Sequence, residues 1–310
     1  MTGLMQRLII VSLTWLSCFN FLAPARAATT TDTVQPAPPR GALYQVSDGR
    51  HTLLLFGTIH VGAPDFYPLE PRLTRALAAA PVLALELDPE NTDAMQSAVQ
   101  RHGLYPAGEH LLEQLEAPLR ERAESALQGL GMVPASVQQM RPWMLAMVLS
   151  VQQYVRHGYR TDLAVDSHLA ATVRAHGGKV VELESAERQM AIFSQLGQAQ
   201  QIQFLADTLQ ELDDADLTRK LDFLVDAWRH ADSAGFARAL KELQEDGSFS
   251  SHFTVQALLR ERNPGLAAGI AELLQRQDQA VAAIGILHLV GPDSVPLLLG
   301  KRGLQVKQLY

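Results

Sequence analysis

Apolar positions along the chain fall into two regimes. Near both ends they form short unbroken runs: LLLF from Leu53, VLAL from Val82 and VAAIGIL from Val281. Runs of this length, bounded by Gly, Pro or acidic residues, read as buried strands. ALYQVS and HTLLLFG flank Asp48-Gly49, a dipeptide that favours a tight hairpin turn. PLEPRLTRALAAA, opening at Pro68, reads as a helix, because proline is tolerated in a first turn. PVLALELD follows as a strand over Val82 to Leu87. The result is a strand–helix–strand unit, the seed of a parallel sheet.

Between the ends the spacing becomes helical. Residues 91–176 carry few β-branched runs. Arg141-Pro142-Trp143 opens a long helix with Met144, Met147, Val148, Val151 and Val155 at helical intervals. Asp166 to Ala175 reads as another helix, ended by Gly177-Gly178, and KVVELE as a strand. A broad helical region runs from Ala186 to Gln277, punctuated at Gly197, Gly235 and Gly247. QAVAAIGILHL is the last central strand. A proline-started helix over Pro292 to Lys301 and a short strand, LQVKQL, close the chain. The expected fold class is α/β: a mixed, largely parallel central sheet drawn from both chain ends, with a large helical middle region. No linker divides it, so residues 41–310 are expected to form one domain.

Composition changes the picture mainly at the N-terminus. Hydrophobic residues make up 47% and charged residues 19%, which fits a globular protein. Arg7, the apolar run Leu8 to Ala23 and the small residues of Ala25-Arg26-Ala27 have the layout of a secretory signal peptide. The run is short for a membrane span. Trp15-Leu16-Ser17 before Cys18 matches a lipoprotein box poorly. Residues 1–27 are therefore expected to be removed and the product exported, to the periplasm or beyond. Residues 28–40, rich in Thr, Pro and Ala, read as a flexible tether. Cleavage removes two arginines and leaves 24 basic against 33 acidic residues, a net charge of −9. That balance argues against nucleic acid as a partner. Cys18 is the only cysteine, so the mature form has no disulfide. No later segment reads as a transmembrane helix.

The candidate chemistry lies where two strand runs end alike. Gly57-Thr-Ile-His60-Val-Gly62-Ala-Pro64-Asp65 and Gly285-Ile-Leu-His288-Leu-Val-Gly291-Pro292-Asp293 each place a histidine three residues after a glycine, then Gly, Pro and Asp. In an open α/β sheet, ligands bind beyond the carboxyl ends of the strands. Gly57 and Gly285 let the backbone pass close to whatever sits there. Glu86, inside a strand expected to be buried on both faces, needs a pairing partner or a cation. Glu184, at the end of KVVELE, is in the same position, and Arg262 in LLRERN can pair with one of them. Two histidines and a carboxylate are the smallest ligand set for a catalytic metal with open positions. Such a metal makes a nucleophile of bound water at neutral pH, with a second carboxylate as general base. The structural alternative is a hydrogen-bonded strand-end histidine and a salt-bridged Glu86. Asp166 and His168 lie near a helix start, where Asp is a common cap, and are secondary candidates. Trp143, Met144 and Met147 read as core.

These residues resemble the TraB/GumN family, related to the Tiki metalloproteases. The resemblance rests on LLLFGTIHVGAPDFYPL, VLALELD, RPW at Arg141 to Trp143, GGKVVELESAERQ, RERN at Arg260 to Asn263 and AIGILHLVGPDSVPLLLGKRGLQV, and spans roughly residues 43–308. It implies an α/β fold in which His60, His288 and Glu86 converge on one site, with Gly57 and Gly285 shaping it and Arg262 as the arginine of an RN motif. Tiki relatives imply a peptidase that depends on a divalent metal such as Mn²⁺ or Co²⁺; Zn²⁺ is also compatible with the ligand types. The first expected function is thus an exported metal-dependent hydrolase acting on a peptide or protein, in which Arg262 steadies an oxyanion or orients a carboxylate and Glu184 is a second acid. The alternative is a non-catalytic envelope protein that captures haem or a metal on the same histidines.

Overall fold

The computed structural model describes residues 37–310; the expected leader, 1–27, and residues 28–36 of the expected tether lie outside the described residues. The strands are β1 (Leu43–Ser47), β2 (Thr52–Thr58), β3 (Val82–Leu85), β4 (Lys179–Glu182), β5 (Val281–Gly285) and β6 (Gln305–Gln308). They form one sheet in the order β4-β3-β5-β2-β1-β6. The four strands from β4 to β2 run parallel. β1 is antiparallel to β2, and β6 to β1. The fold is therefore the expected mixed, largely parallel sheet, and its central strand β5 comes from near the C-terminus.

Helix α1 (Pro71–Ala79) links β2 to β3. Between β3 and β4 lie α2 (Thr92–Ala98), α3 (Ala117–Gly129), α4 (Pro142–Arg156) and α5 (Val165–Ala175). Between β4 and β5 come α6 (Ala186–Ser194), α7 (Gln198–Leu212), α8 (Leu217–Arg229), α9 (Ser233–Glu245), α10 (Phe249–Phe253) and α11 (Asn263–Arg276). Helix α12 (Val295–Lys301) precedes β6. Two apolar cores result. One packs the sheet through Leu43, Phe56, Leu83, Val281, Ile284 and Trp228. The other lies in the helical middle, where the Trp143 and Phe193 rings stack at 4.6 Å and Met144 and Met147 are buried beside them, as their spacing predicts.

Several boundaries differ from the sequence reading. β3 stops at Leu85 and β4 at Glu182, so Glu86 and Glu184 lie just past their strands rather than within them. Backbone pairing continues beyond, with Leu183 N–H on Leu85 O at 2.8 Å and Glu184 N–H on Glu86 O at 3.1 Å. β5 stops at Gly285, and His288 sits in a 3₁₀ turn, Ile286–Leu289. The first helix begins at Pro71 instead of Pro68, where the Glu70 carboxylate caps the Leu73 N–H at 3.2 Å. The last begins at Val295, with Pro296 in its first turn. Gly235 does not interrupt a helix; Asp232 starts one there by accepting the Gly235 N–H at 3.0 Å. The Asp48-Gly49 turn is a four-residue loop, Asp48 to His51. The Asp48 carboxylate accepts the N–H groups of Arg50 and His51 at 2.8 and 2.7 Å, and Gly49 takes φ +90°, which favours glycine.

Candidate functional site

Four parallel strands deliver four chain segments to one sheet edge. His60 follows β2, Glu86 follows β3, Glu184 follows β4 and His288 follows β5. The register sets Thr58 opposite Gly285 and Leu85 opposite both Ala283 and Glu182. The two G-x-x-H segments are thus neighbours, because β2 and β5 pair directly. Gly57 is needed for packing: a Cβ there would lie 2.3 Å from Ile286 Cδ1 and 3.0 Å from Leu289 Cδ1. Gly62 allows a closer approach still, since its Cβ would meet Leu163 O at 1.7 Å.

The acids are held by one cation. Arg262 lies between a π-helical segment (Thr254–Arg260) and α11. Its Nη2 donates to Glu86 Oε2 and to Glu184 Oε2, its Nε to Glu184 Oε2 at 2.9 Å, and its Nη1 to Leu258 O at 3.1 Å. Gln189 adds its Nε2 to Glu184 Oε2 at 3.0 Å and Glu86 Oε2 at 3.4 Å. Gly285 donates its N–H to Glu86 Oε1 at 2.7 Å. Burial alone would raise the Glu86 carboxyl, but Arg262, with His288, His60 and the Gly285 N–H, brings it down to about 2. Burial would lower Arg262, yet the two carboxylates more than offset it, and the guanidinium is held charged.

Each histidine is gripped from behind. His60 Nδ1 lies 2.7 Å from Asp166 Oδ2, while Thr58 Oγ1 donates to Asp166 Oδ1 at 2.8 Å. His288 Nδ1 lies 2.5 Å from Asn263 Oδ1, and the Asn263 amide is fixed by its Nδ2 donating to Asp293 O at 2.8 Å. Asn263 Oδ1 can only accept and Asp166 accepts when ionised, so at each ring the atom behind the imidazole favours a proton on Nδ1. Both Nε2 atoms are buried and without a hydrogen-bond partner. His288 Nε2 lies 3.8 Å from Glu86 Oε1. Burial lowers His60, but Asp166 and then Glu86 more than offset it, so its pKa is raised. Burial, opposed by Glu86 and reinforced by Arg262 and His60, pushes His288 down to about 3.

The arrangement thus brings together His60, His288, Glu86, Glu184, Arg262 and Asp166; Gly285 joins them through its N–H on Glu86, and Gly57 pairs with Ile284 in the adjoining strands. His168 goes elsewhere: it stacks on the Tyr67 ring at 4.0 Å and is lowered by burial. Three residues escaped the sequence reading in this role. Thr58 lies within the first motif, Asn263 closes RERN, and Gln189 closes ESAERQ, but none has a spacing that marks it. A cavity of about 550 Å³ is lined by Leu243, Gln244, Ser248, His252 and Arg260 among others, and by neither His60 nor His288. Among the described residues no group of three or more His, Cys, Asp or Glu is drawn together as a preformed metal shell. No helix among them is long and apolar enough to cross a membrane.

Fold and site together define an α/β protein whose buried polar cluster sits at the carboxyl edge of a mixed sheet, assembled from segments spread along the chain. The model of the TraB/PrgY/gumN family matches residues 42–308, and the chain belongs to that family. It is 28% identical over 251 residues to a protein of Escherichia coli (strain K12) described as "Uncharacterized protein YbaP", covering 81% of this chain and 89% of that one. The YbaP of Shigella flexneri is 28% identical over 250 residues, covering 81% and 88%. No solved structure matches the chain.

Proposed function

We propose that the chain is an exported, metal-dependent hydrolase acting on peptide bonds, with His60, His288 and Glu86 as the residues that would hold a divalent cation (Mn²⁺, Co²⁺ or Zn²⁺). The observation that carries this reading is the pair of buried Nε2 atoms with no hydrogen-bond partner, each ring held by a hydrogen bond at Nδ1. Metal-ligating histidines are held in this manner. Charge points the same way. The formal charges of Glu86, Glu184 and Asp166 against Arg262 leave −2 with both histidines neutral, or −1 when His60 carries a second proton. All four charged groups are at most 8% exposed. Buried excess charge of this size calls for a cation.

The three side chains are not drawn together as a metal shell, and Glu86 would join the histidines through one oxygen only. Arg262 and Gln189 occupy Oε2, while Oε1 accepts the Gly285 N–H and retains a lone pair. A bound divalent metal supplies a lowered water pKa and Lewis acidity. The chain's own residues do the rest. Asp166 and Asn263 hold the imidazoles in the Nδ1–H form. Arg262 keeps Glu86 ionised and aligned. Glu184 Oε1, buried and without a hydrogen-bond partner, is the carboxylate oxygen we assign as general base. With every Arg262 nitrogen already on Glu86, Glu184 or Leu258 O, orienting the carboxylates suits it better than steadying an oxyanion.

One observation favours a second reading, metal capture without turnover: His288 is fully buried and the 550 Å³ cavity includes neither histidine. The deciding experiment is a peptide-library digest by metal-loaded protein, with and without a chelator, beside His288→Ala. Chelator-sensitive cleavage lost in the variant supports the hydrolase. Stoichiometric metal uptake with no cleavage leaves capture.

A further inference from the structure

We propose that Asn263 is the positioning residue for His288, fixing its tautomer and ring so that Nε2 faces the site as a lone pair. Asn263 opens α11 directly after Arg262 and is 3% exposed. Its amide has two ends and both are used. Nδ2 donates to the Asp293 backbone oxygen at 2.8 Å, and Oδ1 faces His288 Nδ1 at 2.5 Å. The first bond decides the second. Because Nδ2 is committed to a carbonyl, the atom facing the imidazole is an oxygen, which accepts only. His288 must therefore carry its proton on Nδ1.

The contact also ties down a loop. His288 and Asp293 bracket the Val-Gly-Pro turn after β5, and Asn263 bonds the side chain of one and the main chain of the other. Arg260 braces the same turn through Asp293 Oδ2 at 3.0 Å. The consecutive pair Arg262-Asn263 thus serves both halves of the cluster: the arginine holds the two glutamates, the asparagine holds the imidazole. The two histidines are consequently unequal. His60 is backed by a carboxylate, His288 by a neutral amide. A carboxylate behind an imidazole strengthens it as a donor to a metal, so Asn263 sets His288 as the weaker of two ligands. That consequence for affinity rests on the metal-site reading; the tautomer does not.

The test is long-range ¹H–¹⁵N NMR of the full chain carrying ¹⁵N-histidine, with the His288 signals identified by their loss in His288→Gln. In the wild type, His288 is expected as Nδ1–H with an unprotonated Nε2. Asn263→Ala is expected to lose that form, and Asn263→Asp, which still accepts at Nδ1–H, to keep it. In Co²⁺ titrations read by visible absorption, Asn263→Ala is expected to weaken binding by about 10- to 100-fold, with Asn263→Asp restoring it. A purely structural asparagine would lower the melting temperature in both variants and leave the tautomer unchanged. A wild-type His288 protonated on Nε2 overturns the proposal, and that spectrum needs no variant to fold. So does an Asn263→Ala protein with wild-type tautomer and Co²⁺ affinity. If the Nδ1–H form is present but the wild type takes up no Co²⁺, the role of Asn263 stands and the metal reading fails.

Discussion

Glu86 Oε1 accepts the backbone N–H of Gly285 at 2.7 Å, which ties the carboxylate after β3 to the strand that leads to His288. The bond places an acid beside a histidine 202 residues further along the chain, and it closes a network in which one guanidinium serves two glutamates. What each member of that network does can be tested separately.

Removing Arg262 strips two buried carboxylates of their cation. Breaking a buried pair from one side costs about 3–5 kcal/mol, so Arg262→Leu is expected to lose roughly that much stability in urea unfolding. Arg262→Lys keeps the charge but not the fork geometry and is expected to fall between. A loss under about 1 kcal/mol in Arg262→Leu would show that the carboxylates are neutralised by something else.

Cation binding should appear in stability. A ligand that prefers the native state adds about 2.7 kcal/mol at 100 times its Kd. Mn²⁺, Co²⁺ or Zn²⁺ is expected to raise the melting temperature of the wild type and of neither His60→Ala nor His288→Ala. Equal stabilisation of all three proteins would remove the histidines from the site.

The metal-free protein should weaken in acid. His288 is held at about 3 in the fold against an unperturbed value of about 6.5. The unfolded chain therefore binds the proton first, and stability falls as pH drops from 6.5 toward 3, by up to about 1.4 kcal/mol per unit. Glu86, held at about 2, acts in the same direction: its contribution is present above the ordinary glutamate pKa and lost as pH falls toward 2. His60 acts oppositely. Its raised pKa contributes stability that is fully present below 6.5 and lost as pH rises through the folded value. Chemical unfolding between pH 7 and 4 is expected to show a shallower decline in His288→Asn than in the wild type. Parallel curves would place the acid sensitivity in other groups.

Gly57 should tolerate no side chain without relief from its neighbour. Gly57→Ala sets a Cβ 2.3 Å from Ile286 Cδ1, an overpacking that costs about 1–3 kcal/mol. Ile286→Val removes that methyl group. The double variant is expected to recover part of the loss, a non-additivity characteristic of contacting residues. Additive losses would mean that the glycine acts through the backbone alone.

Much of the architecture was legible in the chain. Apolar runs of strand length stood at both ends and helical spacing filled the middle, and the structure keeps that division. The shared G-x-x-H ending was visible as well, and β2 and β5 prove to be adjacent. Strand ends were read too far, because apolarity continues past the last ladder bond: Leu87 and Ile286 are buried without being strand residues. The partners were harder. Asp166 stood out only as a helix-start acid, and the roles of Thr58, Gln189 and Asn263 not at all, since the bonds Thr58–Asp166, Gln189–Glu86 and Asn263–His288 cross 25 to 108 residues and leave no local period.

The sequence by itself determined which segments become strands and helices, because short unbroken apolar runs and apolar positions at a period of 3.6 residues are local properties of the chain. It also determined the residue types available for chemistry. Only the tertiary structure decided that Arg262 stands between Glu86 and Glu184, that the two histidines are held by unlike partners, and that His168 stacks on Tyr67 away from them. Those outcomes depend on strand order and register, which bring together groups from every part of the chain. The strength of each interaction is then set by how completely water is excluded around it.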